Sequence, residues 1–250
     1  MKHPIDIQST YHDHLIEINQ SQRKEIQKLK PSTPHYRPSS AGMCSRKIYY
    51  ETILRIEPSE VDKRVQRLFR LGDLIRKDIQ DAFKKIERND SYFSIYNIYI
   101  EKEIILKKLK VFGFADLIVE LGDGRVYLYD IKSIGSFPYK KIFSRYKERR
   151  EPSIHQELQL ATYGLAVEKK FGRLDGMLIL YYNKDTSMLR YKEVSRDRLL
   201  TALGFWERIN TEHSKNSLPT LQEGTSPVAS WECSYCPFKT RCDEDRSKGL

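Results

Sequence analysis

The sequence lacks any long apolar run, since no hydrophobic stretch approaches the roughly 18 residues that a membrane-spanning helix needs. Its first residues, MKHPIDIQSTYHDHLIEI, have neither the basic start and apolar stretch nor the small-residue cleavage site of a secretory signal peptide. Internal repeats and low-complexity tracts are also missing. These absences argue against membrane, exported and repeat proteins, and we expect a soluble cytoplasmic protein.

Cysteine is scarce, with four residues in a chain of 250. Cys233, Cys236 and Cys242 fall in the segment WECSYCPFKTRC, whereas Cys44 lies far upstream. A disulfide framework is not expected in the cytoplasm, because that compartment keeps thiols reduced. Metal ligation by the four thiolates is the leading alternative, and it would tie one end of the chain to the other.

Acidic residues are outnumbered, because 34 aspartates and glutamates face 44 lysines and arginines, a formal net charge of +10. Such an excess attracts polyanions at long range, and nucleic acid is the commonest polyanionic partner of an intracellular protein. Charge alone does not single out nucleic acid, since many basic proteins bind none. It makes nucleic-acid binding a hypothesis that specific motifs must support.

Hydrophobic periodicity divides the chain into a helical first third and a mixed remainder. A first helix within residues 1–30 and a Pro/Ser-rich linker precede two segments, CSRKIYYETIL and VDKRVQRLFRLGDLIRKDIQDAFKKI, whose spacing predicts amphipathic helices. From residue 92 onward, β-branched and aromatic residues predict a strand, a hairpin around GDGR and a second hairpin around NKDT. Helices are predicted over 154–170 and 196–210. This order predicts an α/β fold with a mixed central sheet flanked by helices.

The first hairpin carries two acids and a lysine in the segments GFAD and YDIK. Asp130 and Lys132 are two residues apart on one strand, so their side chains leave the same face, and Asp116 lies on the adjoining strand. Two carboxylates can hold Mg²⁺ or Mn²⁺ beside a phosphodiester, and the lysine can position or activate water. Solvated, cross-paired charges are the alternative, but the apolar strand around this group favours a charged site at a buried sheet.

Asp116, Asp130 and Lys132 resemble the signature of the PD-(D/E)XK nuclease superfamily, and their surroundings resemble its RecB-like exonucleases. The resemblance implies a restriction-endonuclease-like core, a metal held by the two aspartates and the Ile131 carbonyl, and hydrolysis of DNA. We therefore expect a Mg²⁺- or Mn²⁺-dependent deoxyribonuclease of the exonuclease type. Single-stranded DNA ends are the first-choice substrate, since relatives include enzymes that degrade single strands from an end.

The segment PSIHQELQLATY resembles the next motif of the same family, with Gln159 and Tyr163 four residues apart on one helical face. The resemblance implies that these two residues line the active site and contact DNA or the attacking water. His155 lies on the same face as Gln159. It is a candidate DNA contact, and a purely structural histidine is an equally good interpretation.

One cysteine before the nuclease core and three after it resemble the iron–sulfur branch of this family. That branch includes AddB-type nuclease domains and the CRISPR-associated exonuclease called Cas four. Four thiolates suit either a [4Fe–4S] cluster or tetrahedral zinc, and the spacing alone leaves both open. The resemblance favours the cluster, bound by Cys44, Cys233, Cys236 and Cys242 as a structural centre that joins the N-terminal helical part to the C-terminal tail.

The sequence departs from the RecB-like pattern at Arg76, which stands where the family has a metal-ligating histidine four residues after a glycine, here Gly72. Arginine cannot ligate a cation, because it stays protonated. Three interpretations stay open: Asp116, Asp130, the Ile131 carbonyl and water suffice, Asp73 substitutes for the histidine, or the site is weak and Arg76 clamps a phosphate.

The segment FPYKKIFSRYKERR, residues 137–150, interleaves aromatic and basic residues directly after the predicted catalytic strand. Rings can stack on bases while cations follow the backbone, a combination suited to single strands. The alternative is an amphipathic helix whose aromatics pack on the core. The candidate DNA contacts are Tyr139, Lys140, Lys141, Arg145 and Tyr146.

We expect such a nuclease to act in CRISPR spacer acquisition, beside the integrase, or in phage or bacterial recombination and repair. The sequence has no helicase motif, so any helicase would be a separate partner. A DNA-binding or assembly module that retains the fold without activity is the alternative, and Arg76 is its main support. We divide the chain into an extension and linker, 1–40, and one nuclease domain, 41–250, with a helical part, 41–90, a catalytic core, 91–210, and a cysteine knuckle, 231–242.

Overall fold

A computed structural model describes residues 6–29, 35–86, 95–144, 152–225 and 227–249. Seven helices and five strands lie within these ranges. The helices are α1 (Ile7–Leu29), α2 (Ser45–Thr52), α3 (Lys63–Lys84), α4 (Ser136–Phe143), α5 (Ile154–Phe171), α6 (Asp197–His213) and α7 (Lys239–Ser247). The strands are β1 (Ile95–Leu106), β2 (Val111–Leu121), β3 (Val126–Ile134), β4 (Gly176–Asn183) and β5 (Leu189–Glu193).

The five strands form one sheet in the order β1-β2-β3-β4-β5. β3 and β4 are parallel, because α4 and α5 carry the chain back between them, and the other neighbours are antiparallel. The predicted α/β architecture with a mixed central sheet is therefore confirmed. None of the helices in the described part of the chain is both long and apolar enough to cross a bilayer.

Helices cover both faces of this sheet. Buried residues of α5 and α6 pack with those of β2, β3 and β4 in the larger apolar core, at whose centre Trp206 is fully buried. The smaller cluster on the other face includes Leu117 of β2 and Phe83 of α3. The N-terminus of α3 is capped by the Asp62 carboxylate, which accepts hydrogen bonds from two backbone amides. The sheet is thereby held between α3 and the pair α5 and α6.

Residues before position 40 take part in the same core. Tyr36 is 2% exposed, and its ring stacks on Trp206 at 5.6 Å between centroids. Its backbone bridges to Val111 at the start of β2. The division of the chain at residue 40 stays a prediction, although the segment before it, which we interpreted as a linker, contributes a side chain to the core.

Candidate active site

Three carboxylates occupy one level of the sheet on three neighbouring strands. The residues on either side of Glu101 in β1 pair with those on either side of Asp116 in β2. The ladder between β2 and β3 ends at the pair Leu117 and Tyr129, and the next residues are Asp116 and Asp130. Because paired positions lie side by side across a sheet, the register brings Glu101, Asp116 and Asp130 into one row, which we call the acid row.

The middle carboxylate of the row is held by the backbone of the neighbouring strand. Asp116 is 6% exposed, and its Oδ2 accepts a hydrogen bond of 2.8 Å from the Ile131 amide. This contact replaces the ladder at the point where β2 and β3 stop pairing. The orientation of the Asp116 side chain is therefore fixed by the sheet itself.

Asp130 is the most buried member of the row, with 0% exposure. Its Oδ2 lies 3.0 Å from Lys132 Nζ, but neither carboxylate oxygen meets hydrogen-bond geometry with any donor in the described ranges. Burial raises the pKa of Asp130 to about 6, and Lys132 partly opposes that rise while Asp116 adds to it. A buried carboxylate that is paired with one ammonium group and still has free lone pairs fits a hard divalent cation.

Lys132 connects the acid row to α5. Its Nζ donates a hydrogen bond of 3.1 Å to Gln159 Oε1, and Gln159 Nε2 lies 3.4 Å from the Tyr163 hydroxyl. Burial raises the pKa of Tyr163, with the negative charges of Asp130 and Asp116 adding to the effect, so its hydroxyl stays neutral. The sequence motif on α5 and the lysine on β3 therefore meet at the acid row.

Arg76 lies among acids. Its guanidinium is 3.0 Å from Asp73 Oδ1, 3.6 Å from Glu101 Oε1 and 3.8 Å from Asp116 Oδ1. Burial lowers its pKa, but Asp116, Glu101 and Asp73 together outweigh that effect and raise it. The guanidinium therefore places a positive charge beside the carboxylates and balances part of the negative charge that would otherwise attract a metal ion.

Glycine lets α3 come this close to the sheet. A Cβ atom at Gly72, one turn before Arg76, would lie 3.2 Å from Ser133 Oγ on β3, tighter than ordinary van der Waals contact. A larger residue would push α3 away from β3. Gly72 therefore helps to place Arg76 beside the acid row.

Glu101 was missed by the sequence analysis. Its φ of 47° is left-handed, which is unusual for a non-glycine residue within a strand. Gln80 of α3 donates one hydrogen bond of 2.9 Å to Glu101 Oε1 and another of 2.9 Å to the Asp116 carbonyl. Burial raises the pKa of Glu101, and Gln80 and Arg76 oppose the rise. Two side chains of α3 thus fix a third carboxylate at the site.

The four cysteines share a second place in the molecule. All four are free thiols, and they line one cavity of about 290 Å³. Cys44 precedes α2, Cys233 lies in a 3₁₀-helix, Cys236 follows that helix, and Cys242 is in α7. Burial raises the pKa values of the Cys233 and Cys236 thiols, and the neighbouring cysteines add to both shifts. We call this the cysteine cavity.

The carboxylates and thiols do not form a closed cage. In the ranges that the structure describes, no three His, Cys, Asp or Glu side chains are grouped closely enough to hold a metal ion. The acid row brings its members to one level of the sheet, and the four cysteines line one cavity. Metal binding at either place stays a prediction.

His155 belongs to the cysteine cavity. Its Nε2 lies 2.8 Å from Glu232 Oε1, and both residues line that cavity, whereas Gln159, one turn further along α5, faces Lys132. Gly42 has a φ of +80°, and a Cβ there would lie 2.7 Å from His155 Nδ1. His155 therefore lies at the cysteine cavity, and its role as a DNA contact stays a prediction.

The basic-aromatic segment begins as α4. Tyr139 is 4% exposed and packs against Phe143 at 4.7 Å between ring centroids, whereas Lys140 is exposed and Lys141 Nζ lies 4.1 Å from the Phe137 ring centroid. The predicted contacts Arg145 and Tyr146 lie outside the described residues. Tyr139 therefore packs on the core, Lys140 is exposed and Lys141 is half-buried, and DNA binding by this segment stays a prediction.

Comparisons with known proteins agree with this geometry. A family model of the PD-(D/E)XK nuclease superfamily matches residues 59–243, which contain the acid row, Lys132 and the α5 motif. The solved crystal structure of SSO0001 matches with a TM-score of 0.53 and 18% identity, over 92% of this chain and 95% of that one, which shows a shared fold. No curated protein matches the sequence. The chain belongs to the PD-(D/E)XK nuclease superfamily.

Proposed function

We propose that this protein is a metal-dependent exonuclease that hydrolyses single-stranded DNA from an end. Membership of the superfamily supports nuclease activity, and nucleases of this superfamily generally use Mg²⁺ or Mn²⁺. The observation that carries the proposal is the fully buried Asp130 carboxylate, which in the described ranges is paired only through Oδ2 with Lys132, at 3.0 Å, and stands in a row with two further acids. Such a group is costly to bury unless it is paired or coordinated.

The metal would be held by Asp116, Asp130 and the Ile131 carbonyl, and Glu101 is an added candidate from the structure. When bound, the ion would stabilise negative charge on the phosphate and lower the pKa of water. The protein prepares the site by fixing Asp116 through the Ile131 amide and Glu101 through Gln80. Oxygen ligands of this kind suit Mg²⁺ and Mn²⁺.

Lys132 is the residue that we propose to act on the attacking water. Its Nζ is held between Asp130 and Gln159, so the ammonium group is positioned before substrate arrives. Gln159 and Tyr163 would position that lysine and the substrate. Tyr163 would act through its neutral hydroxyl, because its raised pKa keeps it protonated.

Arg76 takes the place of the family's histidine. Of the three interpretations, substitution by Asp73 gains least support, since the Asp73 carboxylate pairs with Arg76 itself. We propose that Asp116 and Asp130 hold the ion without a histidine. Entry of a divalent cation would weaken the attraction between Arg76 and the row, which frees the guanidinium to bind a phosphate.

The cysteine cavity is the proposed site of a [4Fe–4S] cluster, with zinc as the alternative. The convergence of four free thiols on one cavity supports a soft metal centre, because thiolates prefer iron–sulfur clusters and zinc. Iron analysis and absorbance near 400 nm separate the two. The centre would join α2 to α7 as a structural staple.

The biological setting stays a proposal on family resemblance. CRISPR spacer acquisition beside an integrase, and recombination or repair with a helicase, both employ trimming of single-stranded ends. A non-catalytic DNA-binding module is the second candidate. The observation in its favour is the placement of Arg76 against Asp73, Glu101 and Asp116, which already neutralises part of the row.

Cleavage of end-labelled single- and double-stranded DNA with Mn²⁺ tests the proposal. The Asp130→Ala variant should lose activity by about 10³-fold or more, because metal stabilisation of the phosphate contributes several kcal/mol. Asp123→Ala, at an exposed aspartate in the β2–β3 turn, is the matched control and should cleave as the wild type does. Equal and negligible cleavage by the wild type and Asp130→Ala would instead favour the binding module.

A further inference from the structure

The rows of the acid site continue across the sheet to its other edge. Lys132 of β3 pairs with Tyr181 of β4, which pairs with Arg190 of β5. Pairing from β3 through β4 likewise places Asp130 in line with Lys192 of β5. Because paired residues point to the same face, Arg190 and Lys192 lie on the face of Asp130 and Lys132, with backbones about 10 Å away across two strand spacings.

An aromatic ring holds these two cations. The Arg190 guanidinium lies 4.6 Å from the centroid of Phe143, and Lys192 Nζ lies 5.8 Å from it. Phe143 is itself braced by Tyr139 at 4.7 Å and by Tyr181 at 5.9 Å. Cation–π attraction therefore orients an exposed arginine before any ligand binds, which reduces the entropy lost on binding.

The charge of Arg190 is not balanced by an acid. Arg173 pairs with Asp175 and Arg208 pairs with Glu212, but no carboxylate lies within ion-pair distance of Arg190 in the described part of the chain. An exposed guanidinium that is held in place and lacks an anion suits phosphate, whose oxygens it can bind in pairs.

α4 adds an exposed ring beside this surface. Phe137 is 69% exposed, and Lys141 Nζ lies 4.1 Å from its centroid. Cations that follow a backbone beside an exposed ring form the combination that binds single strands, since every base has a face that can stack. A duplex hides the faces of its bases and cannot use the ring in this way.

We propose that Arg190, Lys192 and Phe143, which we call the β5 edge, bind the phosphate backbone of a single-stranded polynucleotide. The inference deepens the proposed function and rests on it, because α4, which carries Phe143, directly follows the strand that holds Asp130 and Lys132. Ile179 and Tyr181 lie between β5 and the acid row and are fully buried, so the polynucleotide would pass over α4, with Phe137 available to a base. The β5 edge would then set how tightly the substrate is held without taking part in hydrolysis.

Binding of a fluorescent oligothymidylate of about 20 nucleotides, which exceeds the 4–16 covered by one single-strand-binding fold, tests this inference. Anisotropy is measured in EDTA, which prevents hydrolysis, between about 50 and 200 mM salt. The variants are the double substitution Arg190→Gln with Lys192→Gln, and Phe143→Leu, which keeps both cations. Lys215→Gln, at an exposed lysine beyond α6, is the control for loss of one surface charge.

We expect the double variant to bind about tenfold more weakly at low salt, with a salt slope smaller by about 1.4, since each contacted phosphate contributes about 0.7. Phe143→Leu should show a smaller loss, and Lys215→Gln should match the wild type. Circular dichroism and thermal unfolding check that each variant is folded. Wild-type affinity and slope in a folded double variant would overturn the inference.

The outcome is distinguishable from failure of the proposed function. If the wild type cleaves single strands and the folded double variant binds them equally well, the nuclease stands and the β5 edge does not bind DNA. If the wild type binds a duplex and a single strand equally well and the double variant binds neither, the single-strand assignment is overturned. Absence of binding by a wild type that cleaves single strands with Mn²⁺ would overturn the β5 edge alone.

Discussion

The acid row and the cysteine cavity are assembled by different means. Glu101, Asp116 and Asp130 lie on consecutive strands, so hydrogen-bonded register places them whether or not a metal is present. The cysteine cavity instead joins Cys44 to residues near the other end of the chain, which requires the closure of a loop of almost the whole protein. The acid row is a consequence of the fold, whereas a metal centre in the cysteine cavity would, in our proposal, help to hold the fold together.

Protein contacts already bring the two ends together. The Tyr50 hydroxyl of α2 donates a hydrogen bond of 2.8 Å to Asp245 Oδ2 of α7, and Arg46 Nε donates one of 2.8 Å to the Pro219 carbonyl. Both acceptors belong to the C-terminal part of the chain. A bound cluster would therefore reinforce an existing contact, and its loss should weaken the fold without changing the acid row.

The largest expected effect is on stability, at the cysteine cavity. Cys233→Ser should remove a cluster ligand and lower the unfolding midpoint by roughly 10–20 °C, because release of a long closed loop costs about 4–5 kcal/mol at roughly 2–4 °C per kcal/mol. Absorbance near 400 nm and iron content should fall in parallel. Thermal unfolding followed by circular dichroism gives the midpoint.

Two control variants separate an effect at the cysteine cavity from an effect at the acid row. Ser234→Ala alters a neighbouring residue of the same cavity without removing a thiol, and it should keep both the colour and the midpoint. Asp130→Ala should lose cleavage while unfolding near the wild-type midpoint, since burial raises the pKa of Asp130 despite its pairing with Lys132, so that burying this charge opposes folding. A Cys233→Ser protein that unfolds at the wild-type midpoint would contradict the staple.

The sequence could predict the acids on the hairpin but not the whole row. Asp130 and Lys132 follow from alternation along one strand, and Asp116 follows from the short turn that fixes the register of the hairpin. Glu101 could not be separated from the other charged residues of its strand, because its role depends on a left-handed backbone and on Gln80. The pairing register of β1 with β2, which the basic turn between them sets, was the signal that could have identified Glu101.

The sequence predicted α1, α2, α3, α5 and α6 as helices, but it predicted neither α7 nor the partners of the helices. The periodicity of α5 was sufficient to place Gln159 and Tyr163 on one face, yet His155 on that face contacts Glu232, a residue far away in sequence. Arg76 stood out only as a departure from the family pattern. Its contact with three acids is a product of tertiary packing, which sequence spacing does not encode.

A smaller effect is expected from the charge of Arg76. Arg76→Gln should bind Mn²⁺ about tenfold more tightly. The Arg76 charge lies near 4 Å from the row, where repulsion weakens the binding of a cation by about 1–4 kcal/mol, depending on how strongly the solvent screens it. Isothermal titration calorimetry measures this without cleavage. Arg70→Gln removes an equal charge from the same helix and should leave the affinity unchanged.

Arg76→His separates the remaining interpretations of the row. A large increase in Mn²⁺-supported cleavage would mean that the natural site is compromised by the missing ligand. Unchanged cleavage would favour metal binding by Asp116, Asp130, the Ile131 carbonyl and water. If Arg76→Gln binds Mn²⁺ as weakly as the wild type does, the guanidinium does not compete with the ion.

The smallest expected effect concerns pH, on the side of the cysteine cavity. His213 of α6 contacts Tyr36 through Nδ1 at 3.1 Å and the Ser45 carbonyl through Nε2 at 3.1 Å, and Ser45 directly follows Cys44. Burial lowers the pKa of His213, and hydrogen bonding to Ser45 and the charge of Glu212 oppose the shift. The neutral ring therefore fastens α2 to α6.

Because the folded pKa lies below 6.5, the unfolded chain binds a proton first as the pH falls, and stability is lost below about pH 6.5. Between pH 7.5 and 5.5 the wild-type midpoint should fall further than that of His213→Gln. Each kcal/mol of unfolding free energy that is lost when His213 is protonated should lower the midpoint by roughly 2–4 °C. His14→Gln, at an exposed histidine of α1, should follow the wild type. Parallel midpoints for wild type and His213→Gln across this range would show that protonation of His213 does not loosen the join between α2 and α6. The acid row could not supply such a fall, because the raised pKa of Asp130 makes protonation favour the folded state as the pH drops.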